Sequence, residues 1–246
     1  MSDKEKNPCS KRRGYVALAC AFLIGFGLWM SGVMIYKGFN SLADKSRTVS
    51  VKGLAVREVD ADEVIWPIVT KFGANDLGEI SATVEKNNAT ILAWLKQNGI
   101  SESEISVSAP EVVNNQTNSY SNFQEPFVYN VTNVITVTSK EVKKVNAIMR
   151  NQGSLLAEGV AIAGGGWEYK PTYNFNGLND IKPSMIEEST KAARAAAEKF
   201  ASDSESKLGN IFSASQGQFE ITDRDQYTPW IKQVRVVCYV NYTLDD

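Results

Sequence analysis

The chain of 246 residues contains no histidine. That absence removes the commonest general base, the commonest metal ligand and the simplest pH switch. It excludes Ser-His-Asp and Cys-His nucleophile systems and His-dependent zinc sites. Cysteine is scarce, with only Cys9, Cys20 and Cys238. Cys9 and Cys20 fall in or before the apolar segment described next, so Cys238 stands alone in the body of the protein. One thiol forms no internal disulfide, and stability must come from the core. Cys238 sits in a strongly alternating stretch and reads as a buried small apolar residue. A basic patch is also missing. Residues 1–13 carry five cations against two anions, a net of +3, so with −2 for the chain everything from Gly14 onward sums to −5. A mildly acidic body is a poor nucleic-acid binder.

What is present is ordinary for a globular protein, at 43% hydrophobic and 22% charged residues. The exception is GYVALACAFLIGFGLWMSGVMIY, Gly14 to Tyr36, which has no charged residue. A helix of that length rises about 34 Å against a hydrocarbon core of about 30 Å. Tyr15, Trp29 and Tyr36 sit toward its ends, as interfacial aromatics do. Lys11, Arg12 and Arg13 precede the run and only Lys37 follows closely, which places the N-terminus in the cytoplasm. Ser41-Leu42-Ala43 offers a signal-peptidase site, Ala17-Leu18-Ala19-Cys20 loosely matches a lipobox, and Arg12-Arg13 resembles a twin-arginine signal. The apolar run is long for each of them, so an uncleaved anchor is expected. Gly27 and Ser31 form a small-xxx-small pair, a spacing also common in membrane helices generally. The expected organisation is a cytoplasmic tail over 1–13, a transmembrane helix over 14–36, a linker over 37–46 and one extracytoplasmic domain over 47–246.

Within that domain, TVSVKGLAV (48–56) alternates and then shifts phase around Gly53, where a bulge is expected. VIWPIVTKF is a second strand, edge-placed or bulged at Pro67. Asp76 and Glu79 form a capping-box pattern ahead of Leu77, Ile80, Val84, Ile91 and Leu95, with Gly99 as the stop. Further strands are expected over Ile105–Val113 and from Phe127 to Val137. Ser139 is read as the cap of a short helix with Val142, Val145, Ile148 and Met149, and LLAEGVAIAG as a strand. The longest helix spans about Pro183 to Leu208, with Gly209 as its stop, followed by strands IFSASQGQFEI and VRVVCYVNYTL. Hairpin-linked strands with helices between them indicate an α+β architecture, helices packed on antiparallel or mixed sheets.

GLNDIKPSMIEESTKAARAAAEKFASDSESKLGNIFSASQGQF, the Asp223-Arg224-Asp225 segment and IKQVRVVCYVNYTL resemble the SIMPL-domain family, and TVSVKGLAVREVDADEVIWPIV resembles its first strands. The resemblance covers roughly residues 47–246. It implies an α+β fold, exported to or anchored at the bacterial periplasm, ring-like or channel-like homo-oligomers in some members, and a link to oxidative-stress defence in others. It carries no catalytic residue onto this chain.

Candidate chemistry is sparse. Asp60, Asp62 and Glu63 suggest calcium, but their spacing matches no EF-hand, and a solvated loop is the plainer reading. Gly164–Gly166 lacks the Lys-Ser/Thr of a phosphate loop. Trp167, Tyr169, Tyr173 and Phe175 read as core, or as a surface for a ligand or partner. Asp223, Arg224 and Asp225 read as a charged turn or an interchain ion pair. Sequons at Asn88, Asn115, Asn130 and Asn241 are expected by chance. The expectation is a non-enzymatic membrane-anchored envelope protein with no catalytic, cofactor-binding or metal residues and no cofactor. Its partners would be the membrane and further copies of itself. The alternative is a periplasmic sensor or binding module for a small molecule or envelope protein.

Overall fold

A computed structural model describes residues 21–38, 47–117, 126–164 and 166–245. The basic tail, Cys9, Cys20, the first seven residues of the apolar segment, most of the linker and Gly165 lie outside the described residues. Helix α1 runs through Ala21–Gly38, and every one of its residues is exposed. By length and composition it is apolar enough to span a membrane.

The remaining elements are β1 (Thr48–Asp60), β2 (Glu63–Ala74), α2 (Leu77–Gln97), β3 (Ile105–Val107), β4 (Glu111–Asn114), β5 (Tyr129–Ser139), α3 (Val142–Arg150), α4 (Ser154–Ala157), β6 (Thr172–Asn174), α5 (Leu178–Asp203), β7 (Lys207–Gln216), β8 (Glu220–Asp223) and β9 (Ile231–Asp245). One sheet runs β1-β9-β7, with β8 also on β9. The other runs β3-β5-β2-β6, with β4 also on β5. β2 with β5 and β6, β5 with β3 and β4, and β9 with β7 and β8 are all antiparallel. The architecture is α+β, with helices on antiparallel sheets.

The described residues divide into two compact units. One takes its residues from 1–54, 189–217 and 237–246, the other from 55–188 and 218–236. In the larger unit the β2–β5 pairing sets Val64, Trp66, Ile68 and Thr70 opposite Ser139, Val137, Ile135 and Asn133. Period-two alternation puts these residues on one face. Ile91, Trp94 and Leu95 of α2 and Val142, Val145 and Ile148 of α3 complete the same core. Trp66 and Trp94 meet edge to face at 6.4 Å, and the Trp94 indole donates to Ser154 Oγ at 2.8 Å. In the smaller unit Ala193 and Ala197 of α5 pack on Val51, Val240 and Tyr242. The alanines bring helix and strand backbones together.

Several expectations are corrected. The alternation of β1 does not shift at Gly53. Val51, Gly53 and Ala55 all face inward, and the strand continues through the polar Arg57–Asp60. β2 is internal, and its pairing with β5 passes Pro67 without a shift. On its other flank β6 reaches only Ile65 and the next pairing is the Thr70–Ile162 bridge, so Pro67 occupies a stretch where no ladder donor is needed. Ile105–Val113 is two strands separated at Ser108–Pro110. Asp76 Oδ1 accepts the amides of Gly78 and Glu79, the forward half of the expected box, but Leu77 is exposed. Ser139 ends β5, and its hydroxyl accepts the amide of Glu141, which caps α3. LLAEGVAIAG is helix α4 followed by irregular chain with a single bridge, not a strand. α5 starts at Leu178, which leaves Pro183 inside it, and ends at Asp203 rather than near Leu208. IFSASQGQFEI is split into β7 and β8, both on β9, with Gly217 at the break.

Candidate functional site

Most of the residues singled out by sequence are held by their own chain. Asp62 accepts the amides of Asn176 and Gly177 at 2.8 Å and fixes the turn before α5. Glu63 accepts the Asn174 side-chain amide at 2.9 Å, and Asp60 pairs with Lys143 at 3.3 Å. The three carboxylates thus go to three different partners. Among the described residues no group of three or more His, Cys, Asp or Glu side chains converges as a metal site.

Asp223-Arg224-Asp225 closes a turn within the chain. Asp223 pairs with Lys232, and Arg224 bridges Glu58 at 3.4 Å and Asp225 at 3.1 Å. Asp225 also accepts the Thr228 hydroxyl and the amides of Tyr227 and Thr228. Those donors, Thr228 foremost, hold its carboxyl well below the usual carboxylate range.

The four aromatics do not form one surface. Tyr173 lies in the larger core, Phe175 packs beside Met185, and Tyr169 sits beneath the Lys71 ammonium at 5.1 Å. Trp167 alone is out in solvent, 87% exposed. Gly164 and Gly166 lie in irregular chain. All four sequon asparagines make side-chain hydrogen bonds, Asn88 to the buried Asn133. Cys238 is buried, 2.9 Å from Ser189 Oγ.

Two features invite a partner. The first is a cleft of about 280 Å³ in the larger unit, at the junction of the end of β1, α3 and Trp230. Ala61 and Val142 form its apolar floor, and Asp60, Lys143, Asn146 and Arg150 its polar rim. The Tyr173 hydroxyl donates to Asn146 Oδ1 at 2.6 Å, and the Tyr173 ring meets Trp230 edge to face at 6.1 Å. Burial raises the Tyr173 pKa, so the phenol keeps its proton and remains a donor. The Ala61 amide donates to the Trp230 backbone carbonyl at 2.8 Å, which ties the chain at Trp230 to the end of β1. The wall of the cleft is therefore preorganised.

The second feature is β7. It lies on the rim of its sheet and, after Lys207, carries no charge to Gln216. Register shifts between Leu208 and Ser213 interrupt the alternation, and Ile211 and Phe212 are 58% and 61% exposed. The adjacent β9 exposes Tyr239, and β1, on the far side of β9, exposes Leu54. Apolar edge strands without guarding charges are templates for pairing.

Sequence reading reached neither feature. The cleft joins residues from positions 60–61, 142–150 and 230, which no local pattern connects. Lys143, Asn146 and Arg150 do share a helix face at i, i+3 and i+7, and that spacing was the one available signal. A family model described as SIMPL, a protein of unknown function (DUF541), matches residues 49–233, well over half of the chain. No curated protein matches it.

Proposed function

Since the chain belongs to the SIMPL family, whose function is unknown, we propose that it is a membrane-anchored, non-enzymatic protein of the bacterial cell envelope whose main domain assembles with further copies of itself. In this reading α1 crosses the inner membrane with the N-terminus cytoplasmic, and residues 47–246 stand in the periplasm. The observation that carries assembly is β7, an uncharged edge with Ile211 and Phe212 outward. A second copy supplies both a strand for its unpaired backbone groups and apolar cover for those side chains. A part in oxidative-stress defence belongs to the same reading and rests on the family resemblance alone.

The test is absolute mass by light scattering, on residues 44–246 and on the full chain in detergent. A discrete oligomer is expected, converted to monomer by Ile211→Lys with Phe212→Lys. A monomer across the whole concentration range, or an oligomer indifferent to both substitutions, sinks the β7 interface. A second reading, an extracytoplasmic binding module, is favoured by the cleft beside Trp230.

A further inference from the structure

We propose that the cleft formed by α3, the end of β1 and Trp230 binds a small organic monocarboxylate with a short planar or apolar body. The inference rests on the binding-module reading and adds the class of ligand. At about 280 Å³ the cavity lies near the small end of ligand sites, which run from about 300 to 1,000 Å³. It suits one small molecule and no polymer.

The polar rim is biased toward donors. Lys143, Asn146 and Arg150 lie on one face of α3, while Val142, Val145 and Ile148 turn into the core and hold the helix in place. Asn146 Oδ1 accepts the Tyr173 hydroxyl, which orients the side chain and leaves both protons of its NH₂ to donate. Arg150 has no ion pair among the described residues, and its guanidinium fork matches a carboxylate in a two-bond geometry. Lys143 is paired with Asp60, but their side chains are 91% and 64% exposed, and such pairs hold weakly. Lys143 is thus available to an incoming anion.

Charge chooses between anions. Two cations against one carboxylate leave the rim at +1, which balances one negative charge and not a phosphate dianion. The indole of Trp230, in edge-to-face contact with Tyr173 and carried on a backbone held by the Ala61 amide, supplies a flat wall for the body of the ligand, and Ala61 and Val142 supply the floor.

The full chain in detergent, titrated calorimetrically with benzoate, benzamide and inorganic phosphate, tests this. Benzoate binding is expected at sub-millimolar to millimolar concentration, at least tenfold tighter than benzamide or phosphate. Arg150→Ala and Lys143→Ala are both at surface positions and are checked for unchanged melting. Each is expected to weaken benzoate at least tenfold. Tighter binding of phosphate or benzamide overturns the ligand class while leaving a binding module. Benzoate binding untouched by both substitutions overturns the site. No heat with any of the three probes up to about 10 mM, where a millimolar Kd would saturate, overturns the carboxylate inference and leaves the binding-module reading, which also admits other small molecules and envelope proteins.

Discussion

A methyl group at position 53 would lie 1.8 Å from the carbonyl oxygen of Ser189, 2.6 Å from the amide nitrogen of Ala193 and 2.8 Å from the Ala193 Cβ. Two of these three atoms are helix backbone, so no side-chain rotation relieves the clash. Gly53 therefore sets how closely β1 approaches α5, and Ala193 and Ala197 answer it from the helix side. Gly53→Ala is expected to destabilise the protein by about 3 kcal/mol, the upper end for an overpacked core, because strand and helix must separate along their contact. A denaturant midpoint unchanged from wild type would show that α5 yields more easily than this geometry allows. The same residue explains a misreading. Leu54 and Val56 are apolar yet face outward, so the hydrophobic pattern of β1 looks as though it changes phase at the glycine. Past Val51 the true inward series continues with Gly53 and Ala55, and such small residues carry little hydrophobic signal. Cys238 was legible for the opposite reason: its neighbours Val234, Val236, Val240 and Tyr242 keep a clean period of two.

At the scale of elements, legibility followed local chemistry. α2 announces itself through Asp76 and a long apolar period, and β5 and β9 through uninterrupted alternation. LLAEGVAIAG misleads because a four-residue helix such as α4 is too short to show any period. The end of α5 misleads because glycine is the usual stop, whereas here the chain turns at Glu205, with φ +55°. The Ser206 amide reaches the Ala201 carbonyl and the Glu205 amide reaches that of Ser202, the two bonds of a Schellman end. A side chain in this left-handed conformation costs about 1–2 kcal/mol, of which glycine's extra freedom in the unfolded chain takes back about 0.5–1 kcal/mol. Glu205→Gly is therefore expected to stabilise by about 0.5–1 kcal/mol, a gain read as a rise in melting temperature. A fall on substitution would mean that Glu205 contributes a contact outweighing its backbone strain. Gly209, read from sequence as the helix stop, lies instead inside β7, where a Cβ would meet Thr243 Oγ1 at 2.3 Å.

For the whole molecule, the proposed placement turns on an asymmetry of charge: five cations before α1, three of them adjacent at Lys11-Arg12-Arg13, against Lys37 alone in its last turn. Orientation follows the cations that remain on the cytoplasmic side. Changing Lys11, Arg12 and Arg13 to Glu should therefore invert the chain or leave a mixture of orientations. The buried thiol makes this measurable. Cys238 is enclosed beside Ser189 and is expected to stay silent to a maleimide, so Cys9→Ser with Cys20→Ala gives a chain without reactive thiols. Lys140→Cys, at an exposed position between β5 and α3, then reports which side the domain occupies. With the native tail, a membrane-impermeant maleimide applied to cells with permeabilised outer membranes should label position 140. With the reversed tail, labelling should fall severalfold and return once the inner membrane is opened. Labelling equal for both tails would mean that the flanking charges do not set orientation. Labelling of neither until the inner membrane is opened would place the domain in the cytoplasm and remove the envelope from the proposed function.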